Sequence, residues 1–431
     1  MWPRRLQRDR SAAHPPAETA PAGGPGESAA QQVLSLYLPA FILGLGTSIA
    51  APAIPVYARS FEVTFGVAAL VLVANGLGSA AATLPTGYLL DRVGRRKIVL
   101  TGPLLTALTS FLTATAQSFP ELLLYRFIAG WALQMWILGR LAMITDRGGD
   151  RRGRQITGLY GMDSIGRLLG PAVGGFAAAW DIRVPFVVHG MLALIAILPS
   201  FHLVRETQPD AARPARAGGA AASTRGVLAM LLAWPILVLF ALQFLASLTR
   251  GAIWGGTLDL FVVYAYGIGP EALGILVTAT SAIGVPITFA AGHLMDRFGR
   301  KATLVPGLAL LGAGLFGMAV VAYLGLSLTS YVLVLFWVRA ALSLTSGSMQ
   351  VLASDAAPAQ ARGRFLGAWR LIAECAQVLS PLSFATVADW LGFGAAFTFL
   401  SATSLGAALL LAFGVREAGR RVARAPTASG A

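Results

Sequence analysis

Between two long apolar runs the chain reads Gly87-Tyr88-Leu89-Leu90-Asp91-Arg92-Val93-Gly94-Arg95-Arg96-Lys97, a short burst of charge. A close copy reads Gly292-His293-Leu294-Met295-Asp296-Arg297-Phe298-Gly299-Arg300-Lys301, and its aspartate follows the first one by 205 residues. A motif that recurs once at such a distance predicts a chain of two related halves. Each copy is expected to form a loop between two apolar helices.

The composition indicates a membrane protein. Of the 431 residues 56% are hydrophobic and 12% are charged, whereas soluble domains carry about 25% charged residues. Several apolar runs exceed the roughly 20 residues that a helix needs to cross a bilayer. The runs lack the short alternating segments of an outer-membrane barrel. Helical spans are therefore predicted, since the backbone of a spanning helix satisfies its own hydrogen bonds.

The net charge of +14 is distributed unevenly. Of the 33 lysines and arginines, 25 fall in tails and loops of one parity, six lie inside apolar runs, and only Arg59 and Arg183 occupy loops of the other parity. Basic loops face the cytoplasm in membrane proteins. The pattern predicts an even number of spans, with both chain ends in the cytoplasm, and it argues against a nucleic-acid partner.

Apolar runs and linker-like segments predict the domain organisation. Residues 1–32 and 416–431 are expected to be cytoplasmic tails, and residues 205–227 a flexible linker between a bundle at 33–204 and a second at 228–415. Each bundle is expected to hold six spans. Twelve spans are predicted near 33–57, 65–90, 98–117, 121–145, 155–180, 184–204, 228–264, 270–293, 302–323, 329–353, 365–389 and 393–415.

The internal repeat extends beyond the charged loops. Arg152-Gly153-Arg154 recurs as Arg362-Gly363-Arg364, and Pro171 recurs as Pro381 at the same offset of 210 residues. Paired repeats of this kind build many secondary transporters. The predicted fold is thus an all-α membrane protein of two pseudo-symmetric six-helix bundles.

Taken together, these features resemble the major facilitator superfamily of secondary transporters, and most closely its twelve-span drug:proton antiporter branch. The charged loop is the most specific mark of the resemblance. Its family pattern is matched by Gly87, Asp91, Arg92, Gly94 and Arg95 in the first half and by Gly292, Asp296, Arg297, Gly299 and Arg300 in the second. The resemblance implies that these loops act as a cytoplasmic latch for one conformation.

Two further marks lie in spans 4 and 5. Small residues and a proline on nearly one face of span 5 resemble the signature of exporters and predict close helix packing; they are Gly166, Gly170, Pro171, Gly174 and Gly175. In span 4, Arg126 and Gly130 match the family's arginine-and-glycine pattern. In that family the arginine is associated with proton transfer.

Charged residues inside the spans are candidates for function, because each costs about 2.5 to 3.5 kcal/mol to insert. Nine are present: Arg126, Arg140, Arg167, Arg250, Arg339, Arg370, Asp163, Asp259 and Glu374. Asp163 and Arg167 are four residues apart, as are Arg370 and Glu374, so each pair shares a helix face. The family architecture places spans 5 and 11 at the seam between the halves.

From that placement, Asp163 and Glu374 are predicted to couple protons, and the resemblance implies the same role for Arg126. The predicted substrate cavity comprises Arg167, Arg250, Arg339, Arg370, Tyr160 and Trp369. A competing interpretation is that the ion pairs only fix helix packing. For Arg140, snorkelling or a bond to Asp163 is expected.

These features predict a monomeric membrane exporter of small amphiphilic molecules, driven by proton influx and located in the cell membrane. The surplus of arginines over carboxylates leaves transport of organic anions or metabolites as an alternative. A non-transporting receptor on the same scaffold is a further alternative. No nucleotide motif, metal site or nucleophile with its base is apparent, so neither a cofactor nor an enzyme activity is predicted, and the single cysteine, Cys375, forms no intramolecular disulfide.

Overall fold

The computed structural model describes residues 33–147, 152–203, 233–345 and 362–414, together with 349, 352–353 and 356–358. Within this part of the chain every regular element is a helix and no strand occurs. The predicted tails and the predicted linker at 205–227 lie outside the described residues.

Twelve spans are present in the described part of the chain. Ten helices there are long and apolar enough to cross a membrane. Span 5 falls below that hydropathy because it carries glycines and charges, and span 10 is a shorter apolar helix of 17 residues. In chain order the spans are Val33–Arg59, Phe65–Val93, Arg95–Ala114, Phe119–Arg147, Arg152–Trp180, Val184–Leu203, Trp234–Trp254 with Thr257–Tyr266, Pro270–Phe298, Arg300–Tyr323, Leu328–Leu344, Arg362–Leu391 and Phe393–Gly414.

Most spans begin and end within a few residues of the predicted boundaries, and two differ more. Span 7, expected as one run over 228–264, is broken into two helices at Gly255 and Gly256. Gly256 has a φ of 88°, a left-handed conformation that glycine adopts without steric cost. Span 10, expected to extend to residue 353, ends at Leu344. Hydropathy alone missed the break in span 7 because apolar residues continue on both sides of the two glycines.

The two halves pack with the same pattern of neighbours. Span 1 packs on spans 5 and 6, and span 7 packs on spans 11 and 12. Span 4 contacts spans 2 and 3, and span 10 contacts spans 8 and 9. Span 3 lies on span 6 as span 9 lies on span 12. This correspondence confirms the pseudo-symmetry that the repeated loops predict.

The repeated loops also share one backbone geometry. Gly94 is the only residue between spans 2 and 3, and Gly299 the only one between spans 8 and 9. Their φ angles are 99° and 96°, a region that favours glycine. We call the end of the bundle that carries Gly94 and Gly299 the motif end, and the end that carries Arg59 and Tyr264 the far end.

The hydrophobic core is shared between the halves at the far end and divided at the motif end. The largest cluster of buried side chains contains Phe65 and Phe186 from the first half and Phe261 and Phe384 from the second. Two smaller clusters each draw on one half alone, around Trp136 in the first half and Trp369 in the second. The halves are thus joined at one end.

Candidate functional site

From the packing of the described residues we infer a cavity between the halves that opens at the motif end. Glycines near that end of the four seam spans have open space where a side chain would project; they are Gly87, Gly161, Gly292 and Gly367. By contrast, Gly66 is pressed against Asp389 of the other half at the far end. The candidate site is the set of charged and aromatic residues that spans 4, 5, 7, 10 and 11 place around this cavity.

The first predicted pair is present on span 5. Arg167 Nε donates a hydrogen bond to Asp163 Oδ2 across 2.7 Å. Both lie on a different helix face from Ile165 and Leu169, which belong to the exposed apolar stripe of this span. Lipid is the natural environment for such a stripe, so the pair is directed towards the cavity. Asp163 also lies against the backbone of Gly44 in span 1.

The second predicted pair is present on span 11 with the reverse order of charges. Arg370 Nε donates to Glu374 Oε1 across 2.9 Å. The Arg370 side chain is 54% exposed and that of Glu374 is 29% exposed. Both pairs are therefore open enough to exchange protons or ligands, although they lie within the length of the spans.

A third ion pair was not predicted. Asp259 Oδ1 lies 3.6 Å from Arg339 Nη2, which joins the second helix of span 7 to span 10. The Arg339 guanidinium also lies over the ring of Trp254. The two charges are 80 residues apart in sequence, so no local spacing signals the pair. Arg339 is buried, which corrects its prediction as a residue lining the open cavity.

The other intramembrane arginines divide into two kinds. Arg140 is buried, donates to the Ser35 carbonyl, and donates from Nη2 to Ser200 Oγ across 2.5 Å. The expected bond between Arg140 and Asp163 is wrong, because Asp163 bonds Arg167 instead. Arg126 and Arg250 form no salt bridge with any acid in the described part of the chain.

The two predicted aromatic residues differ in position. Tyr160 is 45% exposed and lies near Gly161, on the open side of span 5. Trp369 is 1% exposed and packs against Phe365 in the core of the second half. Trp369 therefore does not line the open cavity, which corrects that prediction. The aromatic ring that the structure adds to the site is Trp254, which is 59% exposed.

The small-residue motif of span 5 packs against two neighbouring helices, span 1 and span 8. Gly166, Gly170 and Gly174 each lie against the backbone of span 1, with no room for a Cβ. Gly175 instead meets Pro270 and Gly274 of span 8 in the other half. Next to the motif's proline, the Ala172 amide donates to Thr278 Oγ1 across 2.9 Å, again between the halves. The motif thus fixes both the first bundle and the seam.

The first charged loop is held by local contacts. Asp91 Oδ1 lies 3.5 Å from Arg95 Nη2, and Arg95 Nη1 donates to the Leu90 carbonyl across 2.8 Å. Arg92 lies over the ring of Tyr88. In the second copy, Arg297 lies over Phe298, while the side chain of Asp296 lies outside the described part of the structure.

The far end is closed by polar contacts that the sequence did not reveal. Arg59 Nη1 donates to the Val263 carbonyl across 2.5 Å, and the guanidinium lies over the Tyr264 ring. The Tyr264 hydroxyl donates to the Val63 carbonyl across 3.0 Å. The sequence did single out Arg59, because it is one of only two basic residues in the loops predicted to face away from the cytoplasm.

Comparison with known families agrees with this architecture. The model of the Major Facilitator Superfamily matches residues 36–249 and 239–429. The chain belongs to the Major Facilitator Superfamily. It is therefore a multi-pass membrane protein of a superfamily of transporters, as the sequence analysis predicted. The described residues contain no cluster of three or more histidine, cysteine or acidic side chains that could hold a metal.

Relatives within the superfamily include transporters of bacteria. Quinolone resistance protein NorA of Staphylococcus aureus is 28% identical over 177 residues, which is 41% of this chain and only 46% of NorA. The uncharacterized MFS-type transporter YceJ of Bacillus subtilis is 26% identical over 331 residues, or 73% of this chain and 80% of YceJ. The similarity to YceJ thus extends over most of both proteins.

A solved superfamily structure shares the fold. The inward open conformation of the xylose transporter XylE from E. coli superposes with a TM-score of 0.71 at 17% identity, covering 91% of this chain and 97% of XylE. At that identity the likeness concerns the fold of this superfamily member and not its cargo.

Proposed function

We propose that this protein exports small amphiphilic molecules from the cell by alternating access, driven by proton influx through Asp163 and Glu374. The supporting observation is the presence of two carboxylate–arginine pairs, one on span 5 and one on span 11. Each carboxylate lies within the membrane span and keeps part of its surface open. A group in that setting can gain a proton when its partner arginine moves away.

The orientation proposed for the molecule comes from the basic loops, which place the motif end in the cytoplasm. With that orientation the open cavity faces inward, and the contacts of Arg59 and Tyr264 close the outer side. Cargo then enters from the cytoplasm while the carboxylates pair with arginine. Outward opening requires the far end to separate and the motif end to close.

The charged loops are proposed to stabilise the closed motif end. Here, where that end is open, Asp91 contacts Arg95 of its own loop and is 77% exposed. A carboxylate with that exposure can contact the opposite half when the cavity closes. Release of that contact would return the protein to the conformation described here.

Export, rather than uptake, is supported by the glycine and proline motif of span 5 and by the likeness to NorA. Proton coupling is supported by the geometry of the two pairs. We further propose that the protein works as a monomer in the cell membrane, with both chain ends in the cytoplasm. Each half supplies one proton-carrying pair, so a single chain contains a complete set.

Flux into proteoliposomes tests the proposal. With amphiphilic fluorescent dyes as cargo, an imposed pH gradient should drive accumulation by the native protein. Asp163→Asn or Glu374→Gln should abolish the response to the gradient and leave downhill flux. Asp181→Asn is a matched control, because Asp181 is an exposed carboxylate of the same half.

Two results would count against the proposal. Absence of any flux under a pH gradient would remove proton-driven export, and dye binding without flux would favour the receptor alternative. Full gradient response in both neutral variants would exclude Asp163 and Glu374 as the coupling groups.

A further inference from the structure

Each of the three intramembrane carboxylates identified from the sequence forms a salt bridge with an arginine. Asp163 pairs with Arg167, Glu374 with Arg370, and Asp259 with Arg339. Arg140 has hydrogen bonds to Ser35 and Ser200. Among the described residues, this pairing leaves Arg126 and Arg250 as the intramembrane arginines with neither a salt bridge nor a side-chain hydrogen bond.

These two side chains lie within the spans, on span 4 and span 7. Arg126 and Arg250 are enclosed by protein, yet both retain a partly open surface. The Arg126 Nε is buried and has no acceptor. Arg126 lies in the first half and Arg250 in the second, so each half contributes one.

An uncompensated charge within a membrane span is unfavourable, because arginine cannot lose its proton there as lysine can. Such charges persist where a ligand supplies the counter-charge. Each guanidinium group carries five N–H donors in a planar arrangement that suits a carboxylate or a phosphate. For a cationic cargo, the three intramembrane carboxylates identified among the described residues are already paired with arginine.

The residues beside Arg250 indicate the rest of the ligand. Trp254 is four residues further along span 7, which places it on the same helix face. Its ring is exposed and has the Arg339 guanidinium over one face. An aromatic surface next to an unpaired guanidinium suits a molecule with an apolar body and one anionic group.

We infer that the cargo is an amphiphilic organic anion and that Arg126 and Arg250 provide its counter-charge. The inference rests on the proposed transport function and defines its substrate class. It also separates these two arginines from Arg167, Arg339 and Arg370, whose charges the protein itself neutralises.

Ligand-induced thermal stabilisation of the purified protein tests the inference. The probes are 1-naphthylacetate, its neutral amide and 1-naphthylethylamine, which share one aromatic body and differ in charge. Only the carboxylate should raise the Tm, and Arg250→Gln or Arg126→Gln should weaken its binding tenfold or more. Inorganic phosphate and chloride form a separate arm: stabilisation by these ions alone would show a simple anion site and overturn the inference.

The Tm of each variant without ligand shows whether weak binding results from a loss of folded protein. Removing an unpaired internal charge should leave the Tm unchanged or raise it, so Arg250→Gln should be at least as stable as the native protein. Arg250→Lys keeps the charge and should retain part of the affinity. Lower unliganded stability of Arg250→Gln, together with weak binding, would mean that Arg250 has a structural role, and would contradict the inference.

The result separates this inference from the proposed function. Equal stabilisation by all three naphthyl compounds, or by none, overturns the anion assignment even if proton-driven flux of dyes is observed. Binding of 1-naphthylacetate without any flux under a pH gradient supports the anion site and removes the transport mechanism.

Discussion

The Asp259 carboxylate and the Arg339 guanidinium lie 3.6 Å apart and join the second helix of span 7 to span 10. That helix, Thr257–Tyr266, has only ten residues and begins after the break at Gly256. A helix so short is marginal by itself. The Tyr331 hydroxyl of span 10 supports it further by donating to the Leu258 carbonyl across 3.2 Å.

Removing one partner of this pair should destabilise the protein. Arg339→Gln leaves Asp259 with no cationic partner, and breaking a buried pair costs about 3 kcal/mol. Asp259→Asn should have a similar effect, because it leaves Arg339 unneutralised. We expect each variant to lower the Tm of the detergent-solubilised protein by several degrees.

The double variant provides the control for that prediction. Asp259→Asn combined with Arg339→Gln removes both charges, so its Tm should fall by less than the sum of the two single losses. Strict additivity would show that the two side chains do not interact.

Loss of the Tyr264 hydroxyl should favour opening of the far end. Tyr264→Phe removes the hydrogen bond to Val63 between the halves, a contribution of about 1 kcal/mol. The population with an open far end should rise about fivefold, by the relation between free energy and population. Distances between spin labels at Gln117 and Thr329, in a Cys375→Ser background, would measure the shift.

Tyr266→Phe is the matched control for the hydroxyl. The Tyr266 hydroxyl donates to the Leu326 carbonyl within its own half, so its removal should leave the distance distribution unchanged. Equal shifts in the two variants would argue against a role for Tyr264 in closing the far end.

A methyl group at Gly175 should push the halves apart at the far end. The Cβ of Gly175→Ala would meet the Pro270 carbonyl of span 8, and overpacking of this kind costs about 2 kcal/mol. We expect a roughly thirtyfold loss of the closed far end, read from the same label pair. Gly269→Ala, at a position with open space, should have no effect.

Neutralising Asp91 should slow transport without weakening cargo binding. Asp91→Asn alters an exposed ion pair that contributes about 0 to 1 kcal/mol, so the Tm should change little. If the loop acts as a latch, turnover in proteoliposomes should fall while the affinity for cargo is retained. Reduced affinity at normal turnover would place Asp91 in the binding site instead.

The amino-acid sequence alone was sufficient to predict the family, the number of spans and the two local ion pairs. Hydropathy runs and repeated loops are encoded along the chain, because spanning helices satisfy their own backbone and turn at fixed glycines. Pairs four residues apart, such as Asp163 with Arg167, follow from helix geometry alone.

Tertiary packing decided which charges remain without a partner and which end is open. Arg339 could be assigned to Asp259 only after spans 7 and 10 were placed side by side, and within the described part of the chain that assignment leaves Arg126 and Arg250 without a carboxylate partner. The burial of Trp369 and the contact of Gly175 with Pro270 likewise depend on how helices cross. Contacts between distant residues arise from packing of whole helices, which no spacing along the chain records.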